Sequence, residues 1–109
     1  MDFVISSNLE NGRWRLEISG EIDIYNSGKL KEEIIRLVEK TPADLLVDCQ
    51  NLNYIDSTGL GALVGVLKHV RNVGKDVRLE NVKPNIFKLF RITSLDKVFE
   101  VTIKEEPDA

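Results

Sequence analysis

Tyr54-Ile55-Asp56-Ser57-Thr58-Gly59-Leu60-Gly61 leads directly into Ala62 to Val73, which is apolar at helical spacing. The stretch reads as a loop becoming a helix at Ser57. The first turn of a helix has free backbone N–H groups and the positive end of the macrodipole, so it accommodates an anion. A small hydroxyl residue between Asp and Thr at that point has two readings. Ser57 is a helix cap, or it is a position where a phosphate can be placed. Asp is also a favoured cap, so Asp56 can fill that role instead. Ser57 then becomes the first helical residue, with its hydroxyl free.

Upstream of this stretch, Leu45-Leu46-Val47 is a continuous apolar run bounded by Asp44 and Asp48, the pattern of a central strand. Gln50-Asn51-Leu52-Asn53 reads as a polar connection. A helix is predicted from about Ser27 to Lys40, with Leu30, Ile34, Leu37 and Val38 on one face, ended by Thr41-Pro42. Before it, Trp14, Leu16 and Ile18 alternate with Arg13, Arg15, Glu17 and Ser19, as in a strand with one wet face. Asn11-Gly12 is a hairpin signal, and Phe3-Val4-Ile5 supplies a short first strand. Gly20-Glu21-Ile22-Asp23 breaks the alternation.

Downstream, Gly74 stops the helix that starts at Ser57. Val77 to Glu80 is a strand, and Pro84 opens a short helix carrying Ile86, Phe87, Leu89 and Phe90. Thr93-Ser94-Leu95-Asp96 has the form of a capping box for one more helical turn. Phe99, Val101 and Ile103 alternate in a last strand, and 104–109 is a charged tail without packing residues.

Strands alternating with helices call for a largely parallel sheet. The expected fold is a single α/β domain over 1–109, with a central mixed sheet of four to five strands, an N-terminal hairpin and packed helices. Right-handed crossovers bring the C-terminal ends of parallel strands to one edge, where sites of open α/β sheets lie. Glu21–Asp23 and Asp56–Ser57 are thereby expected on one surface.

Composition narrows the function. The chain has 109 residues, 42% hydrophobic and 30% charged, which suits one globular domain with a core that needs no staples. Fifteen Lys+Arg against eighteen Asp+Glu give a net charge of −3, against a general binder of nucleic acid or anionic membrane. No apolar run has membrane-spanning length and no signal-peptide pattern opens the chain. The single cysteine, Cys49, has no internal disulfide partner and points to a reducing, cytoplasmic compartment. One Cys and one His leave little for a metal site, and no cofactor motif is present. Cys49 follows a buried strand and reads as an inert core thiol. His69, between Lys68 and Val70, reads as an exposed helix residue.

Gly61 and Gly65 are a separate clue. A glycine inside a helix costs roughly 1 kcal/mol relative to alanine, so each asks for a reason. It is close packing against the sheet, or a bare strip where a partner approaches the backbone. At about 100° per residue, Leu60, Leu63, Val64, Leu67 and Val70 centre on one side, while Ser57, Gly61, Gly65, Lys68 and Asn72 form a stripe about 120° away. That separation favours docking.

Gly20-Glu21-Ile22-Asp23, Asp56-Ser57-Thr58-Gly59-Leu60-Gly61 and Phe90-Arg91-Ile92-Thr93-Ser94-Leu95 together resemble the STAS domain family and, within it, the bacterial anti-anti-sigma factors. The likeness covers nearly the whole chain. It implies a regulatory binding protein, not an enzyme. It implies that Ser57 is phosphorylated by a partner kinase that is also an anti-sigma factor. The unphosphorylated protein would capture that kinase and free a sigma factor, and a serine phosphatase would reset it. By the same resemblance Asp23 and Asp56 line the site of Ser57; with the glycine stripe added, the expected partner surface is Glu21, Asp23, Asp56, Ser57, Thr58, Gly59, Gly61, Gly65 and Lys68. Two other readings stand beside it. One is a STAS subunit of a different assembly, in stress signalling or lipid transport. The other is a small hydrolase with Ser57 or Cys49 as nucleophile, which would need a general base, and His69 is about three turns along the helix from Ser57.

Overall fold

A computed structural model describes residues 2–105. It contains β1 (Phe3–Glu10), β2 (Arg13–Ile22), α1 (Ser27–Lys40), β3 (Asp44–Asp48), β4 (Leu52–Ile55), α2 (Ser57–Asn72), β5 (Val77–Val82), α3 (Pro84–Ile92) and β6 (Glu100–Ile103), with one 3-10 turn at Leu95–Lys97. Asn11 and Gly12 both take positive φ, 52° and 76°, which gives the tight turn that joins β1 to β2. Most of the expected tail, residues 106–109, lies outside the described residues.

The main sheet runs β1-β2-β3-β5-β6. Among the described residues only β1 is antiparallel to its neighbour; the β2–β3, β3–β5 and β5–β6 pairs are parallel. The fold class is therefore as expected. Trp14, Leu16 and Ile18 of β2, Leu45 and Val47 of β3, and Val77 and Leu79 of β5 are buried. They join Leu30, Ile34 and Val38 of α1, Leu63, Leu67 and Val70 of α2, and Ile86 and Phe90 of α3 in one apolar core. The Trp14 indole N–H donates to the Thr41 carbonyl at 2.9 Å, fixing the end of α1 against the start of β2. Phe90 and Phe99 meet edge to face, with centroids 5.9 Å apart.

Strand β4 is the main departure from the sequence reading, which took Leu52 and Asn53 as connection. It pairs in parallel with β2 beyond the point where β3 has ended: β3 lies along Arg13–Glu17, and β4 along Gly20–Ile22. The register shifts at Gly20/Glu21. Gly20 has φ +102°, and an added Cβ would lie 2.4 Å from the Asp2 carbonyl oxygen. The shift makes Leu52 and Ile55 both point inward across two exposed residues, so β4 shows no two-residue alternation.

The turn after α3 also differs. Ser94 sits at φ 60° and provides no side-chain cap. The Thr93 hydroxyl donates back to the Leu89 and Phe90 carbonyls instead of forming a capping box.

Candidate functional site

The ends of β2 and β4 lie side by side, so the β2–α1 loop and the start of α2 form one surface. The Asp56 N–H donates to the Ile22 carbonyl at 3.2 Å, which stitches the two loops together. The geometry at the start of α2 shows which residue caps the helix. Asp56 is the N-cap, its Oδ1 accepting from the Gly59 N–H at 3.0 Å. The Thr58 hydroxyl donates to the same oxygen at 2.5 Å. Ser57 is therefore the first helical residue and exposed, and among the described residues its hydroxyl carries no hydrogen bond. Thr58 is exposed too, but its oxygen is tied to Asp56.

The Thr58 hydroxyl holds the Asp56 carboxyl below the usual value, helped by backbone N–H groups of Gly59, Thr58 and Ile24 against the opposing effect of partial burial. A depressed folded-state value means a contribution present above the unfolded-chain value of about 4 and lost as the pH falls through the folded one. Asp56→Ala is expected to cost about 1 kcal/mol near pH 7, the usual loss for a removed cap. The gap to wild type should close as the solution is acidified below about pH 4. Urea melts at several pH values check this; a gap of constant size down to about pH 2 would mean that the carboxylate charge is not its source.

Asp23, expected beside Asp56 on the partner surface, turns its carboxylate into its own loop. It is buried, 6% exposed. Its Oδ1 accepts from the Tyr25 and Asn26 N–H groups at 2.9 and 3.1 Å. Asn26 answers by accepting from the Asp23 N–H at 2.8 Å and donating to the Glu21 carbonyl at 2.9 Å. This closed set shapes the loop that leads into α1. Asp23 thus presents the loop, and Glu21, half-buried at the end of β2, is fixed by its own backbone.

What the loop holds outward was not expected. Ile24 is 64% exposed and Tyr25 is 93% exposed. Tyr54, whose Cα partner is Glu21, is also exposed. These three exposed side chains lie on the two segments that meet at Asp56: Ile24 and Tyr25 on the loop whose Ile24 N–H reaches the Asp56 carboxylate, and Tyr54 two residues before it. The signal in the sequence was the run Ile22-Asp23-Ile24-Tyr25, whose last two residues follow a turn-forming aspartate and so leave the sheet.

The glycines divide into three kinds. Gly61 is exposed, and an added Cβ would meet nothing within 4 Å. Gly65 is covered by Lys31 of α1, whose side-chain Cε and Nζ lie 2.8 Å from the position of an added Cβ. The bare strip ends there, because α1 and α2 pack side by side and the lysine stem fills the gap. Gly59 is buried, and its Cβ would fall 2.5 Å from Ile55 Cγ1 and 2.9 Å from Ile22 Cγ2. Expected on the partner surface, it is instead buried, a packing glycine that lets α2 start flush against β2 and β4. Lys68 is exposed, near the far end of α2 and about three turns from Ser57.

Cys49 is buried, and burial, then the neighbouring Asp48 charge, pushes its thiol up to about 12. It is no source of thiolate at neutral pH. Asp48, read as a charge at a strand end, is itself buried and is held by the Gln50 N–H, the Asn81 amide and Arg15. His69 is half-buried rather than fully exposed. Among the described residues no group of His, Cys, Asp and Glu could hold a metal ion, and no helix is long and apolar enough to cross a membrane.

The STAS domain family model matches residues 10–109. An anti-sigma-B factor antagonist of Bacillus subtilis (strain 168) is 38% identical over 92 residues, 84% of each chain. That of Staphylococcus aureus (strain NCTC 8325 / PS 47) is 31% identical over 101 residues, 93% of this chain and 94% of the relative. Among solved structures, an anti-sigma factor antagonist from Mycobacterium paratuberculosis superposes with a TM-score of 0.82 at 22% identity, covering 92% of this chain and 85% of its own. With a match over nearly its whole length and relatives above 30% identity, the chain belongs to the STAS domain family.

Proposed function

We propose that this chain is an antagonist of an anti-sigma factor, switched by phosphorylation of Ser57. Unphosphorylated, it captures a partner that is both anti-sigma factor and serine kinase, and a sigma factor is released. The kinase then modifies Ser57, the complex parts, and a serine phosphatase restores the hydroxyl. The chain itself does no chemistry, because the ATP belongs to the kinase, and its working compartment is the cytoplasm. The names of its relatives support the class of partner.

One observation supports the choice of acceptor above the others. Asp56 does the capping and Thr58 is held by Asp56, which leaves the Ser57 hydroxyl exposed and unengaged at the helix start. A phosphate there adds about −1.5 to −2 charges. The helix dipole tolerates that charge, so the fold need not change. A partner surface seated on the exposed Ile24, Tyr25 and Tyr54 does not tolerate it. Burying the dianion without a matching cation costs several kcal/mol, and each 1.4 kcal/mol is about tenfold in affinity.

Incubating the protein with ATP and its partner kinase, then mapping phosphopeptides, tests the acceptor. All modification should fall on Ser57 and vanish in Ser57→Ala. Full labelling of Ser57→Ala, with phosphate on Thr58, would overturn the assignment.

A further inference from the structure

Strand β1 is the free edge of the sheet, and it lies almost wholly outside the family match, which begins at residue 10. Its pairing with β2 is regular over eight residues with no bulge. That regularity fixes where its backbone points. The Gly20 N–H turns away from β1 to the Asn51 carbonyl, so Phe3 and Gly20 are a non-hydrogen-bonded pair. One residue earlier, the Asp2 carbonyl accepts from the Glu21 N–H. By alternation Ser6 and Asn8 bond to β2, while Ile5, Ser7 and Leu9 turn their N–H and C=O groups to the open edge. Phe3 belongs to the outward set, and its N–H is taken by its own Asp2 carboxylate at 2.8 Å.

Natural edges are usually blunted by lysine, proline, a bulge or short length. Strand β1 has none of these. The opposite edge, β6, has only four residues. Leu9 is 45% exposed, and Ile5 is only partly covered on the same face.

We infer that β1 pairs antiparallel with β1 of a second copy, about a two-fold axis through Ser7, to form a weak dimer with a continuous sheet. The symmetry is isologous, so one surface must complement itself. With the axis at Ser7, Ile5 stands opposite Leu9 of the second copy, twice, and each is a bonded pair using the free N–H and C=O groups. On the other face Ser6 meets Asn8, and Val4 meets Glu10. Moving the axis to Ser6 would set Asp2 against Glu10, carboxylate on carboxylate, which is unfavourable directly across strands. Charge therefore disfavours the Ser6 axis, and the Ser7 axis is the one that opposes Ile5 and Leu9 twice. One strand pair covers less than a permanent interface requires, so the dimer is concentration-dependent. The Ser57 surface follows β4, which lies across β2 from β1, so the paired edge leaves it free.

Sedimentation equilibrium over a range of concentrations tests this, together with amide exchange. The average mass should climb from 12.4 kDa toward twice that value. Amides of Ile5, Ser7 and Leu9 should gain protection as concentration rises, while those of Ser6 and Asn8 stay protected throughout. Ser7→Pro removes one outward N–H and leaves the β2 bonds intact, as edge prolines do. It should hold the protein at the monomer mass with its melting curve kept. Leu9→Lys, a gatekeeper charge on the same edge, should do likewise and covers the case that Ser7→Pro fails to fold. A wild-type mass fixed at the monomer value up to millimolar concentration, or a dimer that survives Leu9→Lys, would overturn the inference. So would a dimer whose protected amides lie elsewhere.

Discussion

Ser57→Glu is expected to weaken capture of the kinase partner by at least about tenfold, while Ser57→Ala binds nearly as wild type and stays bound in the presence of ATP. The expected loss comes from charge placed where the surroundings are apolar and already acidic. Ile24, Tyr25 and Tyr54 are exposed on the adjoining segments, and Asp56 lies next to Ser57 with its ionised form favoured by the Thr58 hydroxyl. A tenfold loss is about 1.4 kcal/mol, well within the several kcal/mol that an unmatched buried charge costs. A carboxylate carries less charge than phosphate, so genuine phospho-Ser57 should weaken binding further than glutamate. Tyr25→Ala serves as a charge-free comparison: 93% exposed, it contributes little to the fold and should weaken binding through lost apolar contact. Calorimetry with the partner gives the affinities of wild type, the three variants and the phosphorylated protein. If glutamate and wild type bind equally and Tyr25→Ala alone fails, the partner reads the exposed apolar side chains and charge is not the switch.

The helices and the hairpin were legible because their signals are local. Asn11-Gly12 fixes a turn with two positive φ values, and Pro84 and Gly74 mark helix ends by what their own backbones can adopt. The start of α2 was legible as well, down to the alternative in which Asp56 caps and frees Ser57. Strand β4 was not, because its pattern follows from a bulge opposite Gly20 and from where β3 stops, and both are properties of the assembled sheet. The same limit explains Asp23 and Gly65. Whether a carboxylate stays in solvent depends on the loop that closes over it, here through Tyr25 and Asn26. Whether a helical glycine is bare depends on the next helix, here through Lys31. Helical periodicity separated Gly61 from the apolar face correctly, but it carries no information about what stands opposite.

Gly59 and Gly61, two residues apart on one helix, are expected to respond to substitution in opposite directions. Gly59→Ala should destabilise. Its methyl group would enter 2.5 Å from Ile55 Cγ1 and 2.9 Å from Ile22 Cγ2, both in the packed core where β2 and β4 end. Overpacking of that kind costs about 1–3 kcal/mol, more than the roughly 1 kcal/mol that alanine gains in helix propensity. Gly61→Ala meets nothing within 4 Å and keeps only the gain, so its melting temperature should rise. For a domain of this size 1 kcal/mol moves the midpoint by about 4–8 °C, so thermal melts resolve both signs. Size then separates fold from docking at Gly61. Gly61→Leu should fold as well as Gly61→Ala, yet lose partner binding, because its side chain would stand one turn from Ser57 where a docked surface must lie. Gly65→Leu is a milder case, since it must displace only the flexible end of Lys31. A Gly61→Leu protein that melts normally and still captures the partner would move the docking surface off this strip of α2 and onto the β2–α1 loop alone.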